Sequence, residues 1–227
     1  MRTLQVLFFL FLTTGYLYGG EKMDISFIHW LGHDSFRIDA EKIIYTDPFR
    51  IKEGEKADII LITHDHFDHC SVEDIAKITK ESTIIVTTPD CKEKLKGQVK
   101  TVKPGERLTV EGIEIEAVPA YNINKKFHPK GNNWVGYIFK AKGIRIYIAG
   151  DTDYIPEMKN FKTDIALLPV SGTYVMTADE AVKAALDIKP KVAIPMHYGE
   201  IVGSDADARK FADALNGKIE VKILKKE

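Results

Sequence analysis

Apolar positions divide the chain into many short strands and a few helices. Residues 24–30 alternate and are rich in β-branched and aromatic side chains, which predicts a strand. Residues 35–39 and 43–46 repeat the pattern after a Gly32-His33-Asp34 turn, and Asp47-Pro48 stops the second of them. The near-continuous apolar runs at 58–63 and 82–87 predict strands buried on both faces. Between them, Ser71 is placed to cap a helix through Ile75 and Ile78, and Ser71-Val72-Glu73-Asp74 resembles a capping box. A short helix is expected at 90–96. Strands at 100–103, 107–110 and 113–118 follow in close order, with Gly105 and Gly112 read as hairpin turns. Beyond a long irregular loop at 119–133, strands at 134–139 and 144–148 form a hairpin around Lys142-Gly143. Further strands are expected at 164–169, 192–196 and 219–224, with helices at 177–187 and 205–215. Thr177-Ala178-Asp179-Glu180 reads as a capping box for the first of these helices. Two blocks of strands, each followed by helices, predict an α/β protein of stacked sheets with helices on their outer faces.

One polar stretch interrupts this pattern. Directly after the 58–63 run, Thr63-His64-Asp65-His66-Phe67-Asp68-His69 places three imidazoles and two carboxylates within seven residues. Neutral imidazole is the commonest metal-ligating side chain, and a carboxylate adds charge to hold a divalent ion. A solvated loop with chance histidines is the bland reading. It fits poorly, because the chain has only seven histidines. His128, Asp151 and His197 also lie in loops that follow strands, where several strands of one sheet can deliver side chains to one cleft. Singly, each is as well explained as a structural histidine or a turn aspartate.

Lys and Arg total 32 against 33 Asp and Glu, so no basic excess draws the chain to nucleic acid. Cys70 and Cys91 are too few for a disulfide framework. Cys70, beside His69, reads either as a pocket lining or as a buried thiol. Residues 1–22 begin with Met1-Arg2 and an apolar run, which reads as a signal peptide or N-terminal leader. The run is shorter than the about 20 residues that span a bilayer. The expected domain is 23–227. Export or anchoring through the leader follows, with membrane contact through the leader only. A start at Met23 would instead leave the protein cytoplasmic.

His64-Asp65-His66-Phe67-Asp68-His69 resembles the HxHxDH signature of the metallo-β-lactamase superfamily. His128, Gly150-Asp151-Thr152 and Pro195-Met196-His197-Tyr198-Gly199 fall in that superfamily's order. Leu31-Gly32-His33-Asp34-Ser35-Phe36 looks like the opening motif of the branch with ascorbate 6-phosphate lactonase and the N-acyl-phosphatidylethanolamine-hydrolysing phospholipase D. The resemblance implies a four-layer αββα sandwich of two mixed sheets around two divalent metal ions, zinc first, with manganese or iron as alternatives. It implies that His64, His66 and His128 hold one ion, and that Asp68, His69 and His197 hold the other. Asp151 would bridge them and orient a bridging water that ionises near neutral pH. His33 is expected to hydrogen-bond near the metals, to contact substrate or to stabilise its turn. Tyr121, Lys125, Trp134 and Tyr198 are the expected substrate contacts. The implied activity is hydrolysis of an ester, lactone, amide or phosphodiester in a small molecule or lipid. A nuclease of the same superfamily and a non-catalytic metal-binding protein are the other readings.

Overall fold

The computed structural model describes residues 23–227, and the leader expected over residues 1–22 lies outside the described residues. Six strands form the first sheet in sequence order: β1 (Ile28–Gly32), β2 (Ser35–Asp39), β3 (Ile43–Thr46), β4 (Ile59–Leu61), β5 (Ile84–Thr87) and β6 (Gln98–Thr101). The first three are antiparallel, and β3 to β6 run parallel. The second sheet mirrors this plan. It takes β7 (Arg107–Val110), β8 (Ile113–Pro119), β9 (Val135–Ala141) and β10 (Ile144–Ile148) antiparallel. It then adds β11 (Ile165–Pro169), β12 (Val192–Met196) and β13 (Glu220–Val221) in parallel. Each sheet is therefore mixed.

Gly112 turns the hairpin expected between β7 and β8. Gly105 does not turn one. β6 completes the first sheet and β7 begins the edge of the second, so the chain crosses between sheets there. The hydrophobic pattern cannot distinguish a hairpin from a crossover, because both need only a short polar connection.

Alternation explains why β4 reads as continuously apolar. Ile59 and Leu61 face the second sheet and join Ile115, Tyr137 and Ile148 in one buried core. Ile60 and Ile62 face the other way, with Ile85, onto Ile75 and Ile78 of helix α1 (Val72–Ile78) and onto Cys91 of the short helix α2 (Pro89–Lys92). The Tyr137 hydroxyl crosses the inter-sheet core and donates to the Ile62 carbonyl at 2.8 Å. Helices α3 (Ala178–Ile188) and α4 (Asp205–Leu215) cover the second sheet, each opened by a full capping box. The result is helix, sheet, sheet, helix. Leu61→Ala is expected to cost about 2–5 kcal/mol through the cavity it leaves, to be read from the shift of a denaturant unfolding curve.

At α1, Ser71 caps the Asp74 amide, and its hydroxyl donates to Asp74 Oδ2 at 2.7 Å. The Asp74 carboxylate also accepts from the backbone N–H groups of Arg50 and Ile51 at 2.9 and 3.2 Å. That ties the 47–56 loop to the helix beside the histidine-rich stretch. Among the described residues no helix is long and apolar enough to cross a membrane.

Candidate metal centre

Four chain segments end at one rim of the sandwich. The β1–β2 turn carries His33, the loop after β4 carries His64 to His69, β10 runs into Gly150-Asp151, and β12 runs into His197. His128 joins them from the 119–133 loop. Gly150 lies at φ +61°, and a Cβ there would come within 2.9 Å of Thr63 Cβ. A glycine is needed because the Asp151 turn passes so close to the start of the histidine loop. His33, Asp47 and His197 also sit in the left-handed region, at φ 50°, 37° and 58°. Non-glycine residues held there cost about 1–3 kcal/mol each and collect at functional sites.

The resulting cluster has two halves. His64, His66 and His128 bring ligand atoms within 4.8 Å of one another. His64 Nε2 lies 3.1 Å from His66 Nδ1. In the other half, His69 and His197 face Asp151, and Asp68 Oδ2 lies 3.9 Å from His69 Nε2. Asp151 stands between the halves: Oδ2 is 3.1 Å from His128 Nε2 and 3.2 Å from His197 Nε2, and Oδ1 is 3.3 Å from His69 Nε2. His33 closes the rim, with Nε2 3.2 Å from Asp68 Oδ2 and its ring 4.1 Å from that of His197. The structure therefore brings all eight of these residues together.

The nitrogens turned away from the centre have partners that the sequence did not single out. Asp47, fully buried, accepts from the Thr63 amide at 2.8 Å and from the Thr63 hydroxyl at 2.6 Å. Its Oδ2 also lies 2.8 Å from His69 Nδ1. Thr63 Oγ1 is 2.9 Å from His64 Nδ1, so one carboxylate orients two imidazoles. Asn122 Oδ1 lies 3.2 Å from His128 Nδ1, and Ser171 Oγ 2.9 Å from His197 Nδ1. Such partners fix the tautomer and turn the other nitrogen toward a metal. The signal available in sequence was weak: Asp47 precedes a proline, which reads first as a turn.

The four expected substrate contacts divide. Trp134 lies against the site, its ring 4.8 Å from those of His64 and His66, with Nε1 donating to Asp90 at 2.6 Å. The structure does not bring the other three side chains to the cluster. The Tyr121 hydroxyl donates to Glu157 at 2.9 Å under a Lys130 ammonium. Lys125 pairs with Asp153, which also accepts from the Ile123 amide and so pins that loop. Tyr198 is buried against Trp30, ring centroids 4.9 Å apart. Hydrophobic packing and local ion pairs claim these groups before any ligand can.

Charge in the cluster is uneven. Burial opposes ionisation of Asp151, yet the His197 and His69 imidazoles hold it well below the usual carboxylate range. Burial likewise opposes charge on His69, but Asp151 and Asp47 raise it well above the ordinary imidazole value. His197 is raised against its burial by Asp151 and Asp34. Burial, helped by neighbouring imidazoles, lowers His64 and His66. Asp34 is enclosed with neither oxygen hydrogen-bonded, and burial pushes it up to about 8.

Comparison with known proteins places the chain in a family. A family model described as a β-lactamase superfamily domain matches residues 27–197. A metal-dependent hydrolase of Thermoplasma acidophilum is 35% identical over 213 residues, covering 87% of this chain and 93% of the relative. One from Pyrococcus furiosus is 35% identical over 216 residues, covering 87% and 96%. A solved structure from Parabacteroides distasonis, described as a metal-dependent hydrolase, superposes with a TM-score of 0.78 at 40% identity, covering 86% of this chain and 91% of that one. The chain belongs to the metallo-β-lactamase superfamily. Within it, the chain is one of the metal-dependent hydrolases.

Proposed function

We propose that this hydrolase works with two divalent cations on an ester, lactone, amide or phosphodiester of a small molecule or lipid. His64, His66 and His128 would hold one ion, Asp68, His69 and His197 the other, and Asp151 both. One observation carries the reading. His69 Nε2, His128 Nε2, His197 Nε2 and Asp151 Oδ1 are all buried without a hydrogen-bond partner, and they converge on one space. Buried polar atoms are normally satisfied, so a cluster of orphans with ligand chemistry fits a cation-binding site. The all-nitrogen and oxygen donor set suits zinc and also manganese or iron.

When bound, the two cations supply Lewis-acid polarisation of the scissile group and a water acidified toward neutral pH. The chain's own residues do the rest. Asp151 Oδ2 faces His128 and His197, one from each half, Oδ1 faces His69, and either oxygen can accept a proton or hydrogen bond from the attacking water. His33, on Asp68, keeps that carboxylate turned inward. Trp134 walls the His64 half and excludes water there, which strengthens every charge interaction inside. A leader over residues 1–22 that directs export belongs to the same reading, and the N-terminal sequence of the mature protein tests it.

The test is metal analysis together with a screen of generic esters, lactones and phosphodiesters, with and without chelator. About two ions per chain and chelator-sensitive turnover are expected. Less than one ion in metal-replete protein, or turnover indifferent to chelator, would overturn the proposal.

The pH dependence of metal binding follows from the charge pattern. Ligation requires neutral imidazole, while the metal-free protein holds His69 well above and His197 above the ordinary imidazole value, so both favour the proton more than a free imidazole does. Binding at their half should therefore release protons, and affinity should rise about tenfold per pH unit for each proton released. The rise should flatten once pH exceeds the raised values. His64 and His66, held low, are already neutral there. Calorimetry of zinc binding in buffers of different ionisation enthalpy counts these protons.

A further inference from the structure

Two aromatic pairs flank the metal centre, one on each side, and neither has a role in the fold that explains its exposure. On the second-half side, buried Phe49 packs edge-on to His33 with ring centroids 6.0 Å apart. Phe67 stands on Phe49 at 5.8 Å and 80°, between the ligands His66 and Asp68, and is 69% exposed. On the other side, Phe127 meets Tyr174 at 4.6 Å and 81°, directly before the ligand His128, and is 48% exposed. The Tyr174 carbonyl accepts from Asn122 Nδ2 at 2.9 Å, the same Asn122 whose Oδ1 holds His128. Each pair is thus one contact away from a proposed ligand. Ile123, in the same loop as Phe127, is 53% exposed and extends the apolar rim.

Single exposed apolar side chains need no explanation, but a group of them around one cleft does. Of the cations near this rim, Lys125 is matched with Asp153 and Lys94 with Asp65, while Arg50 lies over the Phe49 ring at 4.9 Å and exposed Lys126 directly precedes Phe127. We infer that Phe67 and Phe127, backed by Phe49 and Tyr174, grip an apolar acyl or aryl group of the substrate while its carbonyl lies at the metal centre. The inference rests on the hydrolase reading and narrows it to carboxylic esters, or their amide counterparts, with an apolar acyl part. For an ester, water adds to the acyl carbon, the C–O bond to the alcohol breaks, and the alcohol leaves with a proton while the acid is released.

The test separates grip from turnover. Binding of acetohydroxamate and octanohydroxamate to the zinc-loaded chain is measured by calorimetry, because a hydroxamate seeks the metals and the alkyl tail seeks the rim. Full burial of a methylene strengthens binding up to about fourfold. The longer tail is therefore expected to bind at least about thirtyfold more tightly, and Phe67→Ala and Phe127→Ala should each shrink that ratio. Leu186→Ala, which removes an exposed apolar side chain on α3, should leave the ratio as in wild type. In parallel, kcat/KM is measured along nitrophenyl esters from acetate to octanoate and should climb with chain length.

Equal affinity for the two hydroxamates would overturn the grip even if ester hydrolysis is chelator-sensitive, leaving the hydrolase reading intact. A ratio unchanged in both phenylalanine variants would also overturn it. A steep hydroxamate ratio that both variants flatten, without turnover of any ester, would support the grip and count against the hydrolase reading for esters. Capture of the chain by phosphatidylcholine vesicles with equal hydroxamate affinities would reassign the rim to a membrane surface.

Discussion

Asp151→Ala is expected to take the protein from about two bound ions per chain to one or none. Hydrolysis should fall on the order of 1,000-fold, beyond the 10–100-fold that loss of an outer partner costs. Among the described residues, Asp151 is the one carboxylate within 3.3 Å of imidazoles from both halves, so its removal should open both proposed metal positions together. It also strips His69 and His197 of the charge that raises them toward the protonated form, which changes the metal-free protein in the opposite sense to a simple loss of ligand. With Asp151 gone, their pKa values should fall and the proton release on zinc binding should shrink. Metal analysis and proton counting on one preparation check both effects. Two retained ions would remove Asp151 from the bridging position.

The second large effect is expected at a residue that touches no metal. Asp47→Ala should weaken metal binding by about 10–100-fold and also lower stability. Asp47 accepts from the Thr63 amide and hydroxyl and faces His69 Nδ1, all within 2.8 Å and all buried. Leaving buried donors without an acceptor costs about 1–3 kcal/mol each, so a loss of roughly 3–5 kcal/mol is expected from the group as a whole. Asp47→Asn keeps the shape and can still accept from the Thr63 amide, but it loses an acceptor for the other two donors. It should recover more of the stability than of the metal affinity. Thermal melts with and without zinc separate the two, and equal recovery of both would contradict the orienting role.

The sequence by itself determined the strand and helix content of each block, because alternation and helical spacing are local. The capping boxes at Thr177 and Ser71 could be proposed for the same reason, although Asp74 spends its carboxylate on the 47–56 loop. The dense histidine stretch also announced itself, since a short loop after a strand can present several ligands without help from the rest of the chain. Tertiary structure alone decided what is separated in sequence. It put β6 and β7 in different sheets, set Asp47 against His69 across 22 residues, and set Ser171 against His197 across 26. It also turned Tyr121, Lys125 and Tyr198 to scaffold duties while leaving Phe67 and Phe127 exposed beside the proposed ligands. A side chain's residue type states what chemistry it can do; the burial and partners that select one use come from segments folded against it. For His64 to His69, that means the loop supplies candidate ligands, Asp47 and Asp151 orient and face them, and Asn122 and Ser171 do the same for His128 and His197, brought from distant loops.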